Sequence, residues 1–318
     1  MDSMRSAGDL NRRNFLKSVA AVGGAWLAAG CMGGTQAGEV PAAPSASVVN
    51  PDNIGVQLYT VRDLLEKDFT GTIEKVAQIG YREVEFAGYY DHTPQQVREL
   101  LDRVGLKSPS GHIGLELLRD GLDAQIQSAQ TIGQTYVTIP ALPDAFTGKI
   151  TAEQWHAYAK EFNQIGTALK DNGLHLAYHN HFFEFVPADG GKMAYDVLLS
   201  ETDPELVSFE MDLMWTVFAG QDPLTWFQKY PGRFVMWHVK DMKGVAEAQA
   251  AMKQSGMQGF REVLGHIAAV GEGEIDFKDI FAHAEQAGLQ HFFVENDAPQ
   301  DALANIQTSY NNLKQIVA

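Results

Sequence analysis

Short apolar runs recur along the chain from residue 54, and most are followed by a stretch of helical period. Residues 54–59 form the first run, and an amphipathic helix then extends to about Ile79, where Gly80 stops it. Strand-type runs follow at 82–86, 106–113 and 135–139, with helices expected over 94–104, 115–132 and 152–172. Further strands are expected at 174–180, 206–212, 233–240 and 290–295, with a helix near 193–200 and a closing helix over 301–316. Alternation at roughly 25–40 residues per unit points to a parallel sheet covered by helices. Eight units are the count of a (β/α)8 barrel, a single α/β domain. No Gly-x-Gly-x-x-Gly follows the first strand, so an open dinucleotide-binding sheet lacks its fingerprint.

The first 52 residues lie outside this pattern. Asn11-Arg12-Arg13-Asn14-Phe15-Leu16-Lys17 has the core of a twin-arginine export signal, and the small apolar residues from Ser18 to Gly30 suit its h-region. That run is too short to span a bilayer comfortably. Leu27-Ala28-Ala29-Gly30-Cys31 resembles a bacterial lipobox, with Cys31 at the acylated position. Residues 1–31 are therefore expected to be an export signal, 32–52 a Gly/Ala/Pro/Ser tether, and 53–318 the barrel. The implied location is the periplasm, reached through the twin-arginine export machinery, with anchoring to the membrane through a lipid on Cys31.

Composition narrows the partners. The net charge is −16, and because residues 1–31 carry four Lys/Arg and two Asp/Glu the remainder is at −18. So acidic a surface excludes nucleic acid, whose phosphates need a basic footprint, and disfavours anionic lipid headgroups. Cys31 is the one cysteine, so no disulfide forms within the chain.

Ligand-type side chains collect at the strand ends, where barrels of this kind carry their chemistry. Gln57, Glu85 and His112 end the first three strands, and His179, His181 and Glu184 cluster after the fifth. Asp212, His238, Lys240 and Glu295 end the last three. Mixed imidazole and carboxylate suits one divalent transition metal, Mn, Zn, Fe or Co, better than Ca. Either His179 or Glu184 would complete a set with Asp212, His238 and Glu295. His181 is two residues from His179, so both face one side of an extended strand, and its imidazole would carry the proton near its ordinary pKa. Lys240 would neutralise a substrate oxyanion, while Gln57, Glu85, His112 and Glu184 would bind hydroxyls. Glu210 faces inward if Asp212 does, which leaves one of the two to stabilise the barrel end. Trp215, Trp226 and Trp237 suit either core or sugar stacking. The segment 271–274, Gly-Glu-Gly-Glu, reads as a loop near the site, with too few consecutive amides for a phosphate cradle.

At GVQLYTVRD, AYHNHFFEF, HVKDM, VGEGEIDF and FVEND the chain resembles the sugar phosphate isomerase/epimerase family, xylose-isomerase-like TIM barrels, over about residues 53–318. The resemblance implies a single-metal site with Asp212, His238 and Glu295 as three ligands, and Glu295 also in the catalytic group. His179 stands where many members have Glu, and Trp215 where related epimerases have His. The absent first glutamate moves the expected chemistry from symmetric epimerisation toward isomerisation or β-elimination on an unphosphorylated sugar or keto-sugar, by proton abstraction next to a carbonyl. The alternative is a carbohydrate-binding lipoprotein without turnover; a phosphodiesterase of the endonuclease type fits the acidic charge poorly.

Overall fold

The pleat sorts each barrel strand into two layers, because successive side chains point to opposite faces. In the computed structural model, which describes residues 49–147 and 150–318, ten strands occur in chain order. They are β1 (Gly55–Gln57), β2 (Glu83–Phe86), β3 (Lys107–His112), β4 (Tyr136–Ile139), β5 (His175–His179), β6 (Val207–Asp212), β7 (Met236–Val239), β8 (Asp241–Met242), β9 (Ile267–Ala268) and β10 (His291–Val294). Eight parallel strands close a barrel in the order β1-β10-β7-β6-β5-β4-β3-β2, as the repeating pattern predicts. Outward residues such as Val56, Val84, Val137, Leu176, Met211 and Val294 pack under the helices in one large apolar cluster. A small separate cluster of Tyr136, Ala177, Val235, Met236 and Phe293 plugs the interior. Gly55 belongs to that plug: a Cβ there would lie 2.5 Å from Phe293 Cδ1, so the ring takes the space a side chain would occupy.

Most predicted elements appear with trimmed ends. The helices at Pro94–Val104 and Leu115–Ile132 fall where the period places them, and Thr93 and Thr151 close capping boxes on Pro94–Val104 and Ala152–Asp171. Two expectations need correction. The first predicted helix is two helices, Arg62–Leu65 and Phe69–Ile79, separated where Asp68 turns its carboxylate to the Gly71 amide at 2.9 Å. Between β7 and β10 the chain makes an excursion that the strand pattern did not predict. β8 and β9 pair antiparallel at its base, and the helices Val245–Ser255 and Phe260–Leu264 lie between them.

Asp241 fastens the base of this excursion. Its carboxylate accepts from the backbone N–H groups of Met242, Gly271, Gly273 and Ile275 at 2.9–3.3 Å. Within the Gly271–Glu274 turn the Gly271 and Gly273 amides go to this carboxylate, while those of Glu272 and Glu274 go to the Ala269 and Met242 carbonyls. Gly273 lies so close that an added Cβ would meet Asp241 Oδ1 at 2.1 Å.

The barrel belongs to one compact unit, 45–318. The export signal, Cys31 and nearly all of the tether lie outside the described residues. No helix among the described residues is long and apolar enough to cross a membrane.

Candidate metal centre and active site

Four neighbouring strands bring their C-terminal ends to one point. His179 ends β5, Asp212 ends β6, His238 lies in β7 and Glu295 directly follows β10. Parallel register pairs Asp212 with His238, and His238 with Phe293. One ligand atom from each of His179, Asp212, His238 and Glu295 can be chosen so that all four lie within 4.8 Å of one another. His238 Nδ1 is 2.7 Å from Glu295 Oε2, and His179 Nε2 is 3.9 Å from Asp212 Oδ2. His179, Asp212, His238 and Glu295 are all buried.

The polar accounting supports a cation here. His179 Nδ1 and Asp212 Oδ2 are buried without a well-directed hydrogen bond, their charged neighbours being Glu210 Oε2 at 3.2 Å and Lys240 Nζ at 2.9 Å. A buried acceptor left unsatisfied is costly, and a divalent ion held by two imidazoles and two carboxylates would satisfy it. That donor set fits a transition metal. His112, His179, Glu210 and His238 form a second group of the same compactness.

Beneath the ligand set, carboxylates hold the imidazoles. His238 Nε2 lies 2.8 Å from Glu85 Oε2 and 3.2 Å from Glu210 Oε2. His112 Nε2 lies 2.9 Å from Glu210 Oε2 and 3.2 Å from Glu85 Oε2. Glu85 also accepts from Gln57 Nε2 at 2.6 Å and from Ser110 Oγ. Fixing one ring nitrogen in this way orients the other.

Several sequence-based assignments change at this point. Gln57 and Glu85 are fully buried and spend their polar atoms on each other, on His238 and on Ser110 rather than forming a hydroxyl-binding wall. Glu184 lies outside the ligand cluster and outside the cavity wall. Its carboxylate accepts from the Tyr178 hydroxyl and from the His181 backbone N–H at 3.0 Å, fixing the turn that carries His181. Lys240 is enclosed by Asp212, Glu295 and Asp297 at 2.8–2.9 Å, so three protein carboxylates hold the charge expected to meet a substrate oxyanion. His181 lies just beyond β5 rather than within an extended strand, yet its ring centroid is 4.9 Å from that of His179.

Burial and neighbouring charge separate the titrating groups. Burial pushes His181 down to about 3, with Lys240 adding to the effect, so its ring is neutral rather than near its ordinary value. Burial opposes the charge on His112, but Glu85 and Glu210 raise it to about 9. Burial lifts Asp212 to about 6 and Glu184 to about 7. Burial and Glu85 oppose ionisation of Glu210, yet the imidazoles of His238, His112 and His179 bring it to about 2.

Above the cluster lies a cavity of about 390 Å³, within the ordinary range for small-molecule sites. His112, His179, His181 and Glu295 form its polar end, while Phe146, Trp215, Phe260, Pro140 and Leu264 supply an apolar wall. Phe260 and Leu264 come from the excursion, so a segment absent from the predicted pattern completes the site. Trp215 faces the cavity, whereas Trp226 stacks on Tyr230 and Trp237 on Phe227 in the core. Sequence reasoning also missed Asp297 as a partner of Lys240; its place in Phe293-Val294-Glu295-Asn296-Asp297 was the available signal.

Residues 73–316 match the family described as the xylose isomerase-like TIM barrel. An inosose dehydratase from Lacticaseibacillus casei is 26% identical over 259 residues, covering 76% of this chain and 85% of that relative. A sugar phosphate isomerase/epimerase structure from Parabacteroides distasonis superposes with a TM-score of 0.68 at 25% identity, covering 82% of this chain and 97% of the other. The IOLI protein, crystallised with a zinc atom, shares the fold with a TM-score of 0.62 at 15% identity, covering 83% and 98%.

Proposed function

The chain belongs to the xylose isomerase-like TIM barrel family, and from that premise we propose that it is a metal-dependent enzyme removing a proton next to the carbonyl of an unphosphorylated sugar or keto-sugar. Elimination of water from the neighbouring carbon is the preferred outcome, with isomerisation or epimerisation as variants of the same proton abstraction. The observation that carries this reading is the convergence of His179, Asp212, His238 and Glu295 at one end of a cavity with an aromatic wall. A divalent Mn, Zn, Fe or Co ion held by these four would supply a Lewis acid that stabilises charge developing on the carbonyl oxygen.

The chain's own residues divide the proton work. His181, neutral through burial, faces the cavity as an acceptor, and Glu184 fixes its backbone. His112, kept protonated by Glu85 and Glu210, faces the same space as a donor toward a departing hydroxyl. Two groups driven apart in pKa are what an acid–base pair requires. Trp215, Phe146 and Phe260 exclude water and offer ring faces to a sugar's C–H surface.

The test is metal content by mass spectrometry for wild type, Asp212→Ala and His238→Ala, with keto-cyclitols and keto-glycosides then followed by proton NMR in deuterated buffer. About one transition metal per wild-type chain, lost in both variants, and metal-dependent loss of the signal beside the carbonyl are expected. A folded wild type that cannot be loaded with metal would sink the reading, and saturable sugar binding without turnover would leave a carbohydrate-binding protein instead. The Arg12-Arg13 motif and Cys31 support export to the periplasm and lipid anchoring as part of the same proposal. Retention in the periplasmic fraction of a chain with both arginines changed to lysine would count against twin-arginine export.

A further inference from the structure

Beside the candidate active site lies a second cavity, of about 500 Å³. Leu264 and Ala298 belong to the walls of both, so the two spaces adjoin across these side chains. The lining differs in kind. The first cavity is walled by aromatic rings, whereas the second presents Asn296, Gln300, Asn305, Thr308 and His266, groups that donate and accept hydrogen bonds. Its charges are few and largely committed: Lys243 Nζ lies 3.3 Å from Glu272 Oε2, and Asp301 caps the closing helix through the Ala304 amide. A phosphate or nucleotide would find no spare cation, whereas a neutral polyhydroxylated group would meet amides and hydroxyls.

We propose that the second cavity is a saccharide subsite, so that the substrate is a glycoside: one ring reacts at the metal cluster while a second sugar crosses Leu264 and Ala298 into the polar cavity. This deepens the proposed function and rests on it for the reacting ring. Gln300 and Thr308 are accessible lining groups free to bond the second ring, and the excursion carrying Leu264 and His266 walls both halves of the ligand.

The experiment compares glucose with cellobiose, maltose and trehalose by saturation-transfer NMR titration on the full chain, wild type beside Ala304→Trp. Ala304 is an exposed helix position on the second cavity's wall and takes no part in the proposed chemistry, so an indole there fills the space without disturbing the core. One disaccharide is expected to bind about tenfold or more tighter than glucose in wild type, through the added hydrogen bonds of its second ring. In Ala304→Trp that preference is expected to vanish while glucose binding stays unchanged. Equal affinities for glucose and all three disaccharides in wild type, or a preference that survives the tryptophan, overturns the subsite. Turnover of one-ring and two-ring keto-sugars is measured in parallel. If neither reacts while the binding preference holds, the failure lies with the proposed reaction and the subsite stands.

Discussion

Replacing Lys240 by Met tests how the charged cluster is balanced. The ammonium is fully buried, 2.9 Å from Asp212, 2.8 Å from Glu295 and 2.9 Å from Asp297, and these carboxylates hold its pKa well above the ordinary value against the effect of burial. At an effective dielectric of about 20, each contact is worth about 6 kcal/mol of attraction before the cost of desolvation is subtracted. Most of that gross attraction is offset by removing the ions from water, and breaking a buried pair by deleting one partner costs about 3–5 kcal/mol net. Metal-stripped Lys240→Met protein is therefore expected to lose about that much stability, lowering a urea midpoint followed by tryptophan fluorescence by roughly 1–2 M. Reloading with Zn or Mn narrows the gap, because a divalent ion neutralises the carboxylates that Lys240 neutralised. A loss below about 1 kcal/mol in chelator, or a gap that metal leaves unchanged, would refute both the energetics and the placement of the ion.

Three further outcomes are expected. Asp241→Asn removes a charged acceptor from four backbone amides and should cost about 2–3 kcal/mol; hydrogen exchange at Gly271, Gly273 and Ile275 should rise well before global unfolding, and unchanged protection there would refute the staple. Gly55→Ala is expected to destabilise by about 1–3 kcal/mol through overpacking, and Phe293→Leu should relieve part of that cost in the double mutant; strictly additive losses would show that the ring and the new methyl do not compete. Burial opposes the charge of Asp196, but Lys229, Tyr230 and the Met193 amide hold its pKa below the ordinary 3.8. The stability it adds over Asp196→Asn is thus present above that value and lost as pH falls through the lower folded-state pKa; a difference between the two midpoints that stays constant from pH 6 to pH 3 would count against the pairing.

Local signals carried much of the barrel. Short apolar runs with helical stretches between them, and stops such as Gly80, placed all eight barrel strands to within a few residues, since each signal acts over neighbouring positions. His179, Asp212, His238 and Glu295 were legible for the same reason: ligand-type residues directly following apolar runs lie at strand ends, and strand ends of a closed barrel face one mouth. What each side chain meets there was not legible. Lys240 looked free until Asp212, Glu295 and Asp297 were placed around it, and Glu85 looked like a wall residue until His238 and His112 were found bonded to its oxygens. Glu184, weighed against His179 as a candidate ligand, accepts instead from the Tyr178 hydroxyl and the His181 amide, bonds that no pattern in the sequence marked. The excursion between β8 and β9 was hidden because its short helices take their stability from packing on the rim rather than from a strong period of their own. Strand and helix type are thus written in residues close along the chain, while the partners of Glu85, His238 and Lys240 and the shape of the cavity depend on groups tens to hundreds of residues apart, whose distances exist only once the barrel has closed.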